Sequence, residues 1–454
     1  MHTFEELRGR CPVFIYEDYH IDVRQDEIVL TFDFSVPEVA EFHPMTRIPT
    51  DALPLVNAPD GAAARAIVFA LGLTEAVSYY KAVCSPVIEV RCGFLDEAQQ
   101  RWWKKLWYNG LGEFFYRNGI RTTQEDFVSI RCSGDPIEAD GAFRSAGVQL
   151  VPVGGGKDSA VTLSLLEPFR ATTFGFTVND QPARTETLLA AGLPAERMVR
   201  TYRTIDPALL ELNRQGFLNG HTPFSAIVAF LSLYCAYLIG AEDVILSNEA
   251  SANEATVPGT DVNHQYSKSF AFEQDFTDYV RAYLALPIRY FSLLRPFNEM
   301  QIACKFASLP QYHSVFRSCN AGSKKNIWCC KCAKCLFVCV ILSPFLPQSA
   351  LREIFGEDLL DKKELLPEMR ELCGLSEEKP FECIGTVGEV RAAMWRTIRR
   401  LRADGETLPC LAQWCAEQVP ECTDTLLEDF NPEHHVPEKY MPCVKEMAGF
   451  VRAF

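Results

Sequence analysis

Apolar and polar positions follow two different periods within residues 1–145. Residues 28–34 alternate between apolar and polar side chains, which predicts a half-buried strand. Asp60 precedes apolar residues near helical spacing, so we expect it to cap a helix that runs through residue 83. Further elements are predicted as strands over residues 12–16 and 86–90 and as an aromatic-rich helix over residues 97–118. The mixture predicts an α+β N-terminal domain over residues 1–145, with a small, polar linker over residues 138–147.

Strand and helix patterns alternate between residues 148 and 250. Strands are predicted over residues 148–153, 171–179, 198–205 and 243–247, and helices over residues 160–166, 182–192, 208–215 and 223–238. This alternation indicates an α/β, doubly wound parallel sheet with helices on both faces, whose ligands bind beyond the carboxyl ends of the strands. We assign residues 146–300 to this domain and residues 301–454 to a cysteine-containing, mostly helical C-terminal region.

Composition narrows the class of protein. The 454 residues are 48% hydrophobic, which suffices for two or three domains with buried cores. Apolar runs such as residues 227–238 are too short and mixed to span a membrane, and the N-terminus lacks a signal pattern, so we expect a cytoplasmic protein. A net charge of −15 argues against a broad nucleic-acid surface. Eighteen cysteines in such a chain favour reduced thiols or a metal site over disulfides.

A glycine-rich turn connects the first predicted strand of the α/β domain to its helix. Its residues are Gly154, Gly155, Gly156, Lys157, Asp158 and Ser159. Glycines let the backbone approach an anion closely, and the helix that follows adds the positive end of its dipole. Lys157 offers a mobile cation, Ser159 a hydroxyl donor, and Asp158 a carboxylate for Mg²⁺. The turn therefore predicts a phosphate site, although a glycine-rich turn that binds nothing has the same local pattern.

The turn resembles the pyrophosphate loop of the PP-loop ATP pyrophosphatases, whose pattern is Ser-Gly-Gly-x-Asp-Ser. It departs from that pattern at the first position, where Gly154 stands in place of Ser. The resemblance implies that the protein binds ATP with Mg²⁺, cleaves ATP between the α and β phosphates, and adenylates a carboxylate or carbonyl oxygen. It also implies that the end of the second strand, at Phe176, Thr177 and Val178, holds adenine.

A long polar segment, residues 247–275, follows the fourth predicted strand. Loops of this length directly after a core strand usually carry function or are disordered, and the mixture of Asn, Glu, His, Tyr and Lys here is not a disordered composition. The segment supplies acids, bases and amide donors at the same edge of the sheet as the phosphate loop.

Three motifs together resemble the bacterial UDP-N-acetylmuramoyl-L-alanyl-L-glutamate epimerases: Gly-Gly-Gly-Lys-Asp-Ser, Ser-Asn-Glu-x-Ser-Ala-Asn and Asn-His-Gln-Tyr-Ser-Lys-Ser. The resemblance implies that ATP adenylates the α-carboxylate of the terminal L-glutamate of UDP-N-acetylmuramoyl-L-alanyl-L-glutamate. Exchange of the α-proton with inversion and hydrolysis then give AMP and the D-glutamate product for peptidoglycan. The predicted substrate-binding residues are Asn248, Ser251, Asn253, Gln265 and Tyr266.

Removal of the α-proton requires a positioned base and acid. His264 is the first candidate, because the pKa of histidine lies nearest neutrality. The candidates that follow it are Glu249, Lys268 and His221. The sequence leaves open whether one base or two carry the proton.

Four cysteines near the start of the C-terminal region have metal-ligand spacing. Cys319 precedes Cys329-x-x-Cys332-x-x-Cys335, and four thiolates suffice for tetrahedral Zn²⁺. The pattern resembles the zinc site of PP-loop enzymes that make 7-cyano-7-deazaguanine. Two alternatives stay open: part of the set could be core packing at helical spacing, and Cys330 could replace Cys329.

Two other functions fit parts of this pattern. Another PP-loop enzyme, amidating or thiolating a nucleobase or tRNA, would suit the cysteines, although the acidic charge disfavours tRNA. A nucleotide-binding regulator without turnover would leave the intact loop and the long polar segment unexplained.

Overall fold

The computed structural model describes residues 2–51, 53–253, 266–376, 380–382, 384–422 and 425–453. The described residues form eleven strands: β1 (Val13–Val23), β2 (Glu27–Val36), β3 (Ala40–Phe42), β4 (Met45–Pro49), β5 (Val87–Val90), β6 (Ser129–Cys132), β7 (Val148–Pro152), β8 (Thr173–Val178), β9 (Met198–Arg203), β10 (Ala241–Leu246) and β11 (Arg289–Ser292). They also form sixteen α-helices: α1 (Phe4–Arg10), α2 (Ala62–Tyr80), α3 (Glu97–Gly110), α4 (Gly112–Arg117), α5 (Lys157–Leu165), α6 (Pro182–Ala190), α7 (Pro207–Arg214), α8 (Phe224–Ile239), α9 (Phe270–Tyr283), α10 (Glu299–Ala307), α11 (Ala333–Leu342), α12 (Gln348–Phe355), α13 (Leu366–Leu372), α14 (Val387–Ala403), α15 (Cys410–Gln418) and α16 (Met441–Arg452).

All eleven strands join one sheet, in the order β11-β10-β7-β8-β9-β4-β2-β1-β5-β6, with β3 beside β2. The five strands from β7 to β11 pair with one another in parallel, and their spatial order from β9 to β11 is third, second, first, fourth and fifth along the chain. The chain order therefore reverses between β7 and β10, where the crevices of such sheets bind ligands. The prediction of a mixed α/β protein with a large sheet and many helices is confirmed.

The sheet continues across the boundary predicted near residue 145. Strand β4 pairs antiparallel with β9 through Thr46–Arg203 and Arg47–Tyr202. The guanidinium of Arg203 also forms a buried, bidentate ion pair with Glu75 on α2. The N-terminal strands therefore extend the sheet of the α/β region.

Apolar helices cover both faces of the parallel strands, which explains why every residue of β8 is buried. Helix α8 belongs to one apolar core with α2 and the N-terminal strands. Helix α5 belongs to a second core with α10, α11 and the helices of the C-terminal region. The parallel strands therefore lie between two layers of helices.

Helix α2 alone, among the described residues, is long and apolar enough to cross a membrane, but 89% of its apolar window is buried in the protein. It packs against α8 and β1, which accounts for its composition. The predicted N-cap was wrong: Gly61 occupies that position, and the carbonyl oxygen of Asp60 accepts a hydrogen bond from Arg65.

Other elements also differ from the predictions. The helix predicted over residues 97–118 is divided at Leu111 into α3 and α4, each with its own start. Strand β11 was missed, because four residues within an apolar stretch carry too little period to mark a strand.

Candidate active site

A cavity of about 320 Å³ opens at the carboxyl ends of β7, β8 and β10. Its lining combines the phosphate loop, the end of β8, the start of α8, the residues after β10 and two segments of the C-terminal region. These residues are Pro152, Val153, Gly154, Gly156, Asp158, Ser159, Phe176, Val178, Arg184, Phe224, Ser225, Val228, Leu246, Ser247, Asn248, Ser267, Lys268, Tyr290, Arg317, Ser318, Asn320 and Lys334. The cavity lies where the strand order reverses, as expected for a ligand site.

The glycine turn forms the floor of this cavity. Gly155 has a φ of +82°, and a Cβ there would lie 3.1 Å from Ala183. A Cβ on Gly156 would lie 2.9 Å from the Ser318 hydroxyl, whereas one on Gly154 would meet open space. Helix α5 begins directly after Gly156, so its first N–H groups lack a side-chain cap. Such uncapped amides at a helix start are donors for an anion.

Lys157 does not line the cavity, contrary to the expectation of a mobile cation. Its amine is buried and forms ion pairs with Asp158 and with Glu299, at the start of α10. Burial raises the pKa of Glu299 to about 8, while the neighbouring Lys157 opposes this shift. The charge of Lys157 therefore balances the carboxylates of the buried Glu299 and the partly exposed Asp158. No local pattern could indicate this pairing, since Glu299 lies 142 positions away in the sequence.

The end of β8 presents alternate side chains to the cavity. Phe176 and Val178 line it, but Thr177 faces the other way and its carbonyl oxygen accepts a hydrogen bond from Thr201. Arg184 on α6, which sequence reasoning missed, also lines the cavity and donates to the carbonyl oxygens of Val178 and Asn179. Two apolar side chains can pack against the face of a flat ring, and the neighbouring guanidinium can donate to polar atoms at its edge.

The two ends of the polar segment, here called its stems, follow β10 and precede α9. One buried arginine binds both stems. Arg295 is fully buried and donates to the carbonyl oxygens of Glu249, at 2.8 Å, and Lys268, at 2.7 Å. Its guanidinium also pairs with Glu273 on α9 at 3.0 Å. Ser292 donates to the carbonyl oxygen of Asn248 at 2.6 Å. These bonds fix where the chain leaves and re-enters the sheet edge.

The predicted catalytic residues have different positions. Lys268 lines the cavity, whereas the buried Glu249 and the half-buried His221 are not among its lining residues. The Nδ1 atom of His221 lies 3.5 Å from a carboxylate oxygen of Glu113 on α4. His264 lies outside the described residues.

The predicted substrate-binding residues are likewise separated. Asn248 lines the cavity. The Ser251 hydroxyl donates at 2.5 Å to Glu389 in the first turn of α14, and the Tyr266 hydroxyl contacts Asp275. Gln265 and the side chain of Asn253 lie outside what the structure describes.

Four thiols form a compact cluster beside the cavity. The sulfur atoms of Cys319, Cys329, Cys332 and Cys335 all lie within 4.8 Å of one another. The Sγ distance is 3.7 Å from Cys329 to Cys335 and 3.6 Å from Cys332 to Cys335. Zn–S bonds of about 2.3 Å in a tetrahedron place sulfur atoms about 3.8 Å apart, so the donor set fits zinc.

Backbone groups bind one cysteine of this cluster and a neighbouring cysteine outside it. The sulfur of Cys319 accepts hydrogen bonds from the N–H groups of Gly322 and Cys329, which orient it as outer contacts orient metal ligands. Cys330 instead donates to the carbonyl oxygen of Phe355. The cluster in the structure therefore contains Cys329 and not Cys330.

The arginines of α14 do not reach the cavity. Arg391 donates to the carbonyl oxygen of Cys373, Arg400 to that of Ser343, and Arg399 pairs with Glu421. These three guanidinium groups bind other parts of the C-terminal region and hold its helices together.

Fold and cavity define a mixed α/β protein with a ligand-sized crevice at the edge of its parallel strands. The chain belongs to the MurL family: the family model described as the MurL N-terminal domain matches residues 5–293, and that of the MurL C-terminal domain matches residues 314–427.

Curated relatives share one name, UDP-N-acetyl-alpha-D-muramoyl-L-alanyl-L-glutamate epimerase. The relative from Xanthomonas oryzae pv. oryzae is 36% identical over 332 residues, covering 71% of this chain and 72% of the relative. The one from a Micromonospora species is 32% identical over 460 residues, covering 97% and 99%. The one from Salinispora tropica is 33% identical over 397 residues, covering 86% and 85%. No solved structure matches the chain.

Proposed function

We propose that this protein inverts the terminal L-glutamate of UDP-N-acetylmuramoyl-L-alanyl-L-glutamate to D-glutamate in an ATP-dependent reaction. One observation carries the proposal: the glycine turn of residues 154–159 and the stems of the polar segment, at Asn248 and Lys268, line a single cavity. The substrate comes from the names of the relatives, one of which covers 97% of this chain.

The nucleotide half of the cavity suits a PP-loop type of ATP site. The glycine turn and the uncapped start of α5 offer backbone donors to phosphate, and Asp158 offers a carboxylate to Mg²⁺. Phe176 and Val178 offer an apolar wall for adenine. In the proposed reaction an α-carboxylate oxygen of the substrate attacks the α phosphorus of ATP. The bond between the α and β phosphates breaks, and pyrophosphate leaves with the bonding electrons.

The second half of the reaction requires proton transfer at carbon. Deprotonation next to a free carboxylate would give a dianion, and joining that carboxylate to AMP removes the charge. A base then takes the α-proton, and an acid returns a proton to the opposite face. We propose His264 as the first candidate base. Lys268 lines the cavity and is positioned to stabilise the enolate oxygen or to serve as the acid. Water finally cleaves the anhydride, releasing AMP and the free carboxylate.

We further propose that the cysteine cluster binds a structural Zn²⁺. Four thiolates close the coordination sphere, which leaves no open position for a substrate and indicates a role in folding. The ion would hold the segments around Cys319 and Cys332 together.

The dependence of AMP formation on substrate tests the proposal. Protein, ATP and Mg²⁺ should form AMP and pyrophosphate rapidly only when the UDP-muramoyl dipeptide ending in L-glutamate is added. A dipeptide ending in isoglutamine, in which the α-carboxyl of the glutamate is an amide, should not support AMP formation. An enzyme that modifies a nucleobase would ignore both dipeptides, and a regulator without turnover would form no AMP under any condition.

A further inference from the structure

The glycine turn of residues 154–159 does not present to the cavity the lysine side chain that its sequence predicts there. Lys157 is buried against Glu299 and Asp158, and its charge is balanced by theirs. A triphosphate carries several negative charges, so a cavity that binds one needs cations from elsewhere.

The cysteine segments bring polar side chains to the part of the cavity wall beside the glycine turn. Ser318 and Asn320 flank Cys319 directly, and Lys334 lies between Cys332 and Cys335. The backbone N–H of Arg317 donates to the carbonyl oxygen of Gly155 at 2.7 Å. The segment that contains Cys319 is thus bonded to the glycine turn, and Ser318, Asn320 and Lys334 line the same cavity as that turn.

Lys334 is the best placed cation on this wall. The guanidinium of Arg317 is committed to the carbonyl oxygens of Ser314 and Phe316, at 3.0 and 2.6 Å. The side chain of Lys334 is half-buried and lines the cavity, and its amine lies 5.3 Å from the centre of the Phe337 ring.

We propose that Lys334 binds the β and γ phosphates of the nucleotide, and then the pyrophosphate product, as the functional replacement for Lys157. This inference deepens the proposed function and rests on it, since it assumes that ATP occupies the cavity. The cysteine cluster acquires a purpose beyond folding: by fixing Cys332 and Cys335, it fixes the residue between them that contacts phosphate.

Binding measurements on the full-length protein test this assignment. Dissociation constants of ATP, pyrophosphate and AMP are measured with Mg²⁺ for wild type, Lys334→Gln and Lys334→Arg. Loss of a charge-assisted contact should weaken ATP and pyrophosphate binding about 10- to 100-fold. AMP binding should change less than about twofold, and Lys334→Arg should recover most of the lost affinity, since it keeps the charge.

A matched control lies in the same motif. Lys331 is exposed and does not line the cavity, so Lys331→Gln should bind all three ligands as wild type does. Zinc content is measured for every variant, and Lys334→Met replaces Lys334→Gln if the latter loses its metal.

Two results would overturn the assignment. Unchanged ATP affinity in a metal-replete Lys334→Gln protein would remove Lys334 from the site. Equal weakening of AMP and ATP would show a general distortion of the cavity and not a phosphate contact. Failure of the wild-type protein to bind ATP is a distinct outcome, because it would refute the proposed function itself.

Discussion

Gly155 and Gly154 are neighbours with opposite tolerance for a side chain. Gly155 has a left-handed backbone and lies tightly against Ala183, whereas the space around Gly154 is open. The sequence predicts the glycine turn, because a run of three glycines between strand and helix is a local pattern. It cannot predict which glycine is obligatory, since this depends on how α6 packs over the turn.

This difference gives a matched pair of variants. Gly155→Ala should lower the free energy of unfolding by about 1–3 kcal/mol, because alanine is strained at positive φ and its Cβ would contact Ala183. Gly154→Ala should change it by no more than about 1 kcal/mol in either direction. Denaturant unfolding of both proteins measures the difference, and equal stability of the two variants would contradict the geometry.

Among the predicted site residues, those fixed by local pattern agree best with the structure. The residues that line the cavity are Gly154, Gly156, Asp158, Ser159, Phe176, Val178, Asn248 and Lys268. Most of them follow the end of a buried strand, which determines which side chains reach the sheet edge. Gly155, Lys157 and Thr177 do not line it. The partner of Lys157 is far away in sequence, and the orientation of Thr177 depends on the pairing of β8 with its neighbours.

At the scale of elements, Arg295 joins three pieces of structure that the sequence shows as separate. It connects α9, the stem after β10 and the stem before α9 through four bonds made in a fully buried position. Its significance was not visible in the sequence, where it is one arginine in an apolar stretch.

Arg295→Met should therefore be strongly destabilising. It leaves Glu273 buried without its guanidinium partner, a change that costs about 3–5 kcal/mol. The control is Arg281→Met, which replaces an exposed arginine on α9, the helix that carries Glu273. It should have little effect. A loss of less than about 1 kcal/mol in Arg295→Met, measured by denaturant unfolding, would show that the stems are held by other contacts.

The pH dependence of this loss has a defined sign. Burial raises the pKa of Glu273 and Arg295 lowers it, so removal of Arg295 raises the folded-state pKa further. A carboxyl whose pKa is higher in the folded state loses stability as pH rises through that interval. The deficit of Arg295→Met should therefore be larger at pH 8 than at pH 5. Neighbouring His435, 3.6 Å from Glu273, can be held constant by comparison in a His435→Gln background.

The cysteine cluster is a second feature at the scale of elements, and the spacing of its four cysteines in the sequence predicted it. The purified protein should contain about one zinc per chain. Cys332→Ser should lose that metal, whereas Cys330→Ser should keep it, because Cys330 bonds to Phe355 away from the cluster. Elemental analysis of reduced, anaerobically prepared protein decides. Metal-free wild type, or equal metal loss in both variants, would contradict the proposed site.

At the scale of the whole molecule, one sheet carries both the N-terminal strands and the parallel strands that form the cavity. The alternation of strands and helices predicted the parallel part, because each buried strand is a short apolar run between helical patterns. Pairing between β4 and β9 could not be predicted, since the register of distant strands leaves no local mark on either. The C-terminal wall of the cavity was missed for the same reason: Arg317, Ser318 and Lys334 reach it only through tertiary packing.

The division of labour between the two halves of the cavity predicts separable steps. His264→Gln should still release pyrophosphate from ATP in the presence of the dipeptide, because the phosphate loop is intact. It should fail to exchange the glutamate α-proton, because the proposed base is gone. Exchange at the wild-type rate would exclude His264, and variants of Glu249, Lys268 and His221 would then be compared in that order.

The most direct test of the account follows the α-carbon itself. Wild-type protein is incubated in D₂O with Mg²⁺ and the UDP-muramoyl dipeptide ending in L-glutamate, with and without ATP. Mass spectrometry and chiral analysis of the hydrolysed glutamate then report deuterium content and configuration. The account predicts D-glutamate carrying one deuterium at the α-carbon, formed with AMP and only when ATP is present. Inversion without ATP, or AMP formation with no deuterium at that carbon, would contradict it.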